Sequence, residues 1–432
     1  MKAKEIVLLV LIITAGVIFY HAYTGKLDIS IDFDDGIYWG LEEFTYEESQ
    51  EIEPPFPAQL FLVNSYGEIE IQGTEEQKIT IDFQERIWRK NEEQAAEVSE
   101  KLKMIIDKNE NQIKISTNRD EFRKKKFETD FKVSIPKGMD IEVENSYGYV
   151  KASKAGNTKI TNRYGEIILS RIEGKVDVKN SYEDVDIDGV QADCQVESNS
   201  STILAKNIKG GMKIIHKYGK IYLENISQKV EIESPNTEIY GYGLKQGVEA
   251  QNSYEKIILQ YVGPTLINGK SSKIEVDGVE GDLRINDSYG KLKLNNVAGS
   301  LYIEGKNVEI SGRKIIGENI SISTSYEDIE LADFSAKTTI QNYNGNIILE
   351  PTLLSQPLEA RSEYGTIKFF WPKGKKYPFE ARAKGGEINW NLPEKISFTE
   401  ENGIKIIKAF LEETDKPSVF LFTRYGRIVI EE

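Results

Sequence analysis

Residues 162–187, NRYGEIILSRIEGKVDVKNSYEDVDI, state one pattern twice. Tyr164 is followed by Gly165 and the apolar pair Ile167 and Leu169. Eighteen residues on, Tyr182 is followed by Glu183 and the pair Val185 and Ile187. The first apolar residue of this unit can be traced through Val150, Ile167, Val185, Ile203, Ile221, Ile239, Ile257, Ile274, Leu292, Val308, Ile329 and Ile347. Most steps are 17 or 18 residues, with a short step of 16 into Val308 and a long one of 21 out of it. Further apolar positions recur inside each unit: after Ile167 come Leu169, Ile172, Val176 and Val178, and after Val185 come Ile187, Val190, Cys194 and Val196. Leu292 is followed in the same way by Leu294, Val297, Leu301 and Ile303.

Two alternating strands joined by one inward corner residue make a turn of a coil. A period this short leaves no room for a crossover helix, and two such strands cannot stand alone. Stacking the turns buries the shared apolar rows and pairs each strand with the turn above and below. The pattern predicts an all-β fold, a single-stranded parallel β-helix (β-solenoid) of about 18 residues per turn. About fifteen turns at the inter-strand spacing of about 4.8 Å would give a rod of about 70 Å. Regular turns are expected over residues 141–350. Past Ile347 the step lengthens through Ile367 and Ile388 to Ile428, which predicts looser turns in that order over residues 351–432, closed by Trp371, Trp390 and Phe410.

Upstream, residues 59–140 read as a strand-helix-strand cap. LFLVNSYGEIEIQG and KITIDFQERIW alternate like strands. NEEQAAEVSEKLKMII then changes period: Asn91 is an N-cap with Gln94 three residues on, and Ala95, Val98, Leu102 and Ile105 share one helical face. Residues 25–58 are acidic, end in Pro54, Pro55 and Pro57, and read as an extended tether. Residues 1–24 place Lys2 and Lys4 before an apolar run from Ile6 to Tyr20, the pattern of one transmembrane helix with its N-terminus in the cytoplasm and the bulk outside. A cleaved signal peptide is the alternative, although no good cleavage site follows the run.

Composition narrows function. The 432-residue chain carries a net charge of −15, which argues against a nucleic-acid partner, because phosphate binding needs a concentrated basic face. One cysteine, Cys194, excludes an internal disulfide, and two histidines, His21 and His216, leave no histidine-cluster metal centre or Ser-His-Asp triad. No cofactor or metal is expected. Outward carboxylates Asp184, Asp186, Glu327 and Asp328 could serve a polysaccharide-cleaving β-helix. They stand eight repeats apart, however, and Lys220, Lys256, Lys273 and Lys291 fill the place between, so no catalytic site is assigned.

Three positions before each first inward residue stands a tyrosine: Tyr147, Tyr164, Tyr182, Tyr218, Tyr254, Tyr289, Tyr326, Tyr364 and Tyr425, with Tyr66 upstream. The turns between carry Ser200, Asn236, Ser271, Gly305 and Asn344. Two residues earlier runs a polar row of Asn145, Asn162, Asn180, Ser198, His216, Ser234, Asn252, Asp287, Thr324 and Asn342. Such side chains bond the backbone freed at a repeated bend, and a tyrosine beside the bend covers the corner. His216 then replaces an asparagine and is not a base. The competing reading is a ligand-stacking face of Tyr147, Tyr164, Tyr182, Tyr218, Tyr254, Tyr289 and Tyr326, set to meet sugar rings or a peptide.

VNSYGEIEIQGTEEQKITI, EEQAAEVSEKL, VSIPKGMDIEVENSYGYV and the repeated Tyr-Gly turns together resemble the bacterial putative-adhesin family with β-strand repeats, a domain-of-unknown-function family. The resemblance covers most of the chain outside the anchor and tether. It implies a right-handed β-helix, extracytoplasmic and membrane-anchored, with no catalytic residues. Tyr-Glu at Tyr182, Tyr254 and Tyr326 departs from the family's glycine turn. Two functions are compatible with these features: an adhesin-like rod meeting a protein or glycan at the surface, or an envelope sensor or scaffold engaging a membrane protein of the same cell.

Overall fold

The computed structural model describes residues 31–32, 36–37 and 40–432. The expected anchor, residues 1–24, lies outside the described residues, as does the start of the expected tether. Among the described residues no helix is long and apolar enough to cross a membrane. The chain forms two compact units, one ending at Ala155 and the other running from Gly156 to Glu432.

In the first unit, Glu42–Ile52 pairs antiparallel with Ile79–Arg89, which pairs antiparallel with Phe127–Pro136. Ile69–Thr74 then runs parallel to Phe127–Pro136, and Val150–Ser153 runs parallel to Ile69–Thr74. A second sheet orders Met104–Lys108, Gln112–Thr117, Gln59–Val63 and Asp140–Glu144. The helix Glu92–Lys101 lies on the first sheet, where Ala95 and Leu102 pack with Ile87 and Phe127. Its N-cap is the expected one: the Asn91 side chain accepts the Gln94 N–H at 3.0 Å.

Three boundaries differ from the sequence expectation. Residues 42–52 of the expected tether form a full strand, because Phe44 and Tyr46 alternate within the acidic run and turn half-buried toward the helix. The helix stops at Lys101, not Ile106. Asn118 ends it by accepting the Lys103 N–H at 2.8 Å and donating to the Lys101 carbonyl at 3.0 Å, so Ile105 belongs to a strand. The unit also runs past the expected boundary at residue 140, to Ala155.

The second unit is a parallel coil. Its front sheet begins Ile167–Ile172, Val185–Val190, Ser200–Ile208, Tyr218–Ile226, and its back sheet begins Thr158–Thr161, Val176–Lys179, Cys194–Glu197, Met212–Ile215. Each strand pairs in parallel with its equivalent one turn later, inward residue on inward residue: Ile167 on Val185, Val185 on Ile203, Val176 on Cys194. The solenoid has about 13 turns about 18 residues apart, fewer than the fifteen expected. The inward rows are almost wholly sealed from solvent.

A corner device was invisible in the apolar pattern. The residue before each inward corner residue holds a left-handed backbone: Arg171, Gly189, Asn207, Asn225, Gly243, Tyr261, Gly278, Asn296, Lys314 and Asp333, with φ between 52° and 82°. Glycine, asparagine and aspartate tolerate that region, which accounts for most of the row.

One turn departs from the inward row that the apolar spacing predicts. Leu292 pairs with Ile310, not Val308, and Leu294 pairs with Gly312. Gly312 carries no apolar side chain, so the sequence pattern slid back two residues onto the buried Val308. With Ile310 in place, the uneven steps of 16 and 21 disappear. The same slip misplaced the tyrosine column there: Asn307, not Gly305, is its member.

The order of the last turns is also different. Ile367 pairs with Ile428, and Ile428 pairs on its other side with Ile388. In the back sheet, Val419–Thr423 likewise sits between Leu358–Ser362 and Phe379–Lys384. The rung formed by residues 419–431 is thus inserted between two rungs that precede it in sequence. Phe379–Lys384 pairs further with Ile404–Ala409, which forms a hairpin with Ser397–Glu401. The extra length of the segment after Phe370 serves this detour, and Trp371 packs on Phe369, Phe379, Trp390 and Phe410 at 5.5–5.8 Å within it.

Candidate interaction surface

The tyrosine corner follows from hydrogen bonding at each bend. The polar row is buried along its length, from Asn145 through His216 to Asn342. Asn180 donates to the carbonyls of Gly165 at 3.1 Å and Glu183 at 2.7 Å, and accepts the Ser181 N–H at 2.9 Å. Asn252 and Asn342 donate to the carbonyls of Thr237 and Glu327, each at 2.8 Å. Each asparagine therefore ties its bend to the preceding turn, which satisfies backbone groups no ladder reaches.

His216 fits this row. Its ring nitrogens lie 3.2 Å from the Ser201 hydroxyl and 3.0 Å from the Thr237 hydroxyl, and burial pushes it down to about 4. Fully buried and held on both sides by hydroxyls, it has no carboxylate to orient it as a base. Asp287 shows the acidic version. It accepts the N–H of Ser288 at 2.6 Å and of Ser272 at 3.3 Å, while burial raises its carboxyl to about 6.

Glycine after the tyrosine has a steric cause. A Cβ on Gly219 would lie 2.0 Å from the Ser201 carbonyl oxygen, and one on Gly365 2.0 Å from that of Gly345. The chain at these turns rests on the turn before it, and only glycine fits.

Outside this buried row the tyrosines point to solvent. Tyr147, Tyr182, Tyr218, Tyr254, Tyr289, Tyr326, Tyr364 and Tyr425 are exposed and Tyr164 is half-buried. Within the first unit Tyr147 stacks on Tyr66 at 4.4 Å. In the second unit Tyr164 stacks on Tyr182 at 4.9 Å, and Tyr326, Tyr343, Tyr364 and Tyr425 form a ladder of ring contacts between 5.2 and 6.5 Å. Between these clusters Tyr218, Tyr254 and Tyr289 stand on alternate turns, about 10 Å apart at the usual strand spacing. Tyr254 and Tyr289 are 56% and 61% exposed, and both hold left-handed backbones, with φ of 71° and 68°. Their neighbours in the column, Asn236, Ser271 and Asn307, share that conformation.

Two of the four outward carboxylates serve the backbone. Asp184 accepts the Thr202 N–H at 2.7 Å and Asp328 the Asn346 N–H at 2.8 Å, each one turn later. They are not brought together. Among the described residues no group of three or more His, Cys, Asp or Glu side chains could hold a metal ion. Cys194 is buried in the inward row, and burial raises its thiol to about 12.

Sequence reasoning missed a second feature. On the outward face of the front sheet, Leu204, Tyr222, Tyr240 and Ile258 are register partners in one row. With Tyr242 and Gln260 they line a shallow groove of about 570 Å³. The outward position after each first inward residue carried the signal, in ILAK, IYLE, IYGY and IILQ.

No family model and no curated protein matches the chain. A solved structure of a putative cell adhesion protein from Clostridium sporogenes is 11% identical over 90% of this chain and 99% of that one, with a TM-score of 0.18. At that score the likeness carries no argument about fold or function.

Proposed function

We propose that the chain is a non-catalytic, adhesin-like interaction module: a right-handed solenoid held outside the cytoplasm by its N-terminal apolar segment, whose corner tyrosines contact a protein or glycan at the surface. The observation that supports this is the pair Tyr254 and Tyr289. A left-handed backbone costs a non-glycine residue about 1–2 kcal/mol, and a ring more than half exposed recovers little by burial. Asparagine or glycine would serve the corner better. A tyrosine kept at that cost is explained by what its exposed ring touches.

Two measurements test the reading. External protease added to wall-stripped cells should remove nearly all of the chain, and full protection would place it on the wrong side of the membrane. A photo-reactive side chain at position 254 should then capture a surface partner, whereas the same group at Lys213, on the back sheet, should not. Capture confined to proteins of the same membrane would replace the adhesin reading with the envelope scaffold.

A further inference from the structure

The outward residues of the front sheet are mixed, with charges on most turns, but four successive turns carry large apolar side chains in one row. Leu204, Tyr222, Tyr240 and Ile258 are bounded by Asp186 at one end and Glu275 at the other. Tyr222 and Tyr240 stack at 4.8 Å with their planes 9° apart. Their ring faces cover each other, so the row presents ring edges and aliphatic carbons. A sugar ring stacks on an open aromatic face; a shallow apolar surface of this kind suits an apolar protein partner.

The row reads the same in both directions: aliphatic, tyrosine, tyrosine, aliphatic. Consider two copies facing each other across a two-fold axis that runs along the strands. Turn order is reversed and strand direction is kept, so residue i meets j and j meets i. Leu204 then meets Ile258 of the second copy, and Tyr222 meets Tyr240. The flanking rows obey the same operation. Lys220 and Glu238, 3.6 Å apart within one copy, come opposite Glu238 and Lys220 of the other, giving four charges of alternating sign. On the far side Glu224 comes opposite the Tyr242 hydroxyl and Lys206 opposite Gln260. Within these turns no two like charges meet.

We propose that this row is a self-association surface, which seats the same row of a second copy with the two coils antiparallel. Four turns span about 19 Å, so the contact is smaller than a standard stable interface and forms where copies are crowded. Asp186 and Glu275 oppose each other at both ends and keep the contact from spreading along the coil.

Cross-linking of the full-length chain tests the geometry. Positions 204 and 258 lie three turns apart in one copy, about 14 Å, too far for an internal disulfide. Cys194 is buried and does not compete. Leu204→Cys and Ile258→Cys chains, distinguished by size tags and mixed under a mild oxidant, should give the mixed dimer several-fold in excess of either like dimer. Adding Tyr240→Asp to both chains should abolish it while circular dichroism stays unchanged. A Leu204→Cys like dimer that equals or exceeds the mixed one would overturn the antiparallel arrangement, and no cross-linking in any mixture would overturn self-association through this row.

Discussion

Replacing Glu85 by glutamine should stabilise the first unit at neutral pH and leave it unchanged in mild acid. Glu85 lies on the core face of Ile79–Arg89, in line with Ile79, Ile81, Phe83 and Ile87, and is 6% exposed. Its Oε2 and the hydroxyl of its register partner Tyr46 are both buried without hydrogen-bond partners. Burial raises the carboxyl to about 7, against a smaller lowering by the Ser99 hydroxyl. A carboxyl raised on folding binds more protons in the folded than in the unfolded state between its two pKa values. Stability is therefore lost as pH rises from the unfolded value, 4.5, to about 7. At about 1.4 kcal/mol for each pH step of one across that interval, the loss comes to about 3 kcal/mol. Urea unfolding of wild type and Glu85→Gln, followed by Trp88 fluorescence in the same strand, should show the variant ahead by about 2–3 kcal/mol at pH 8 and equal within about 1 kcal/mol at pH 4.5. Because only the difference between the two chains is read, other titrating groups cancel. Equal stability at both pH values, or a variant that loses more at pH 8 than at pH 4.5, would refute the assignment of an ionised, desolvated carboxylate under the helix.

Three further outcomes follow from the second unit. His216→Asn should lie within about 1 kcal/mol of wild type at pH 7 and remove an acid sensitivity, because a histidine lowered to about 4 costs stability as pH falls from 6.5 toward 4; unchanged pH dependence in urea unfolding would contradict this. Gly365→Ala should cost about 3 kcal/mol or more by the same measurement, since its Cβ would meet a backbone carbonyl at 2.0 Å that cannot step aside. Ile428→Asp should strip hydrogen-exchange protection from Phe379–Lys384 as well as from Val419–Thr423, because the last rung lies between that strand and the rest of the coil; retained protection at 379–384 would restore the sequential order of turns.

Much of the coil was legible because its core is a row of aliphatic residues repeated at a fixed step, and Ile167, Val185 and Ile203 need only period and burial to be placed. The reading slipped where an inward place is filled by no side chain. Gly312 carries no apolar signal, so the apolar spacing favours the neighbouring Val308 as the start of the turn. It failed over the last turns because sequence order does not encode which of two equivalent rungs a strand will pair with, and Ile428 fits between Ile367 and Ile388 as well as it would fit beyond them. The helix end was hidden for a different reason: Asn118, which terminates it, lies 17 residues after Lys101. At the candidate site the tyrosine column and the polar row could be read directly. The left-handed backbone of Tyr254 and Tyr289 could not, because tyrosine gives no hint of that conformation. The Leu204–Ile258 row is hard to see in the sequence because the same outward position is charged in the adjoining turns, at Asp186, Glu275 and Lys293.

The central functional claim is that the exposed corner tyrosines meet an external partner while the buried polar row beneath them holds the fold. Its most direct test is the triple variant Tyr218→Asn, Tyr254→Asn and Tyr289→Asn, expressed in cells lacking the native chain and compared for surface abundance, thermal unfolding and cell attachment. Each ring is more than half exposed, so its loss removes about 1 kcal/mol of burial, against about 1.5–3 kcal/mol for a fully buried side chain, and relief of the left-handed strain at Tyr254 and Tyr289 returns about 1–2 kcal/mol each. The account predicts normal surface abundance, a small shift in unfolding temperature, and loss of attachment. Attachment at the wild-type level with the variant fully displayed, or a variant that no longer folds, would contradict it.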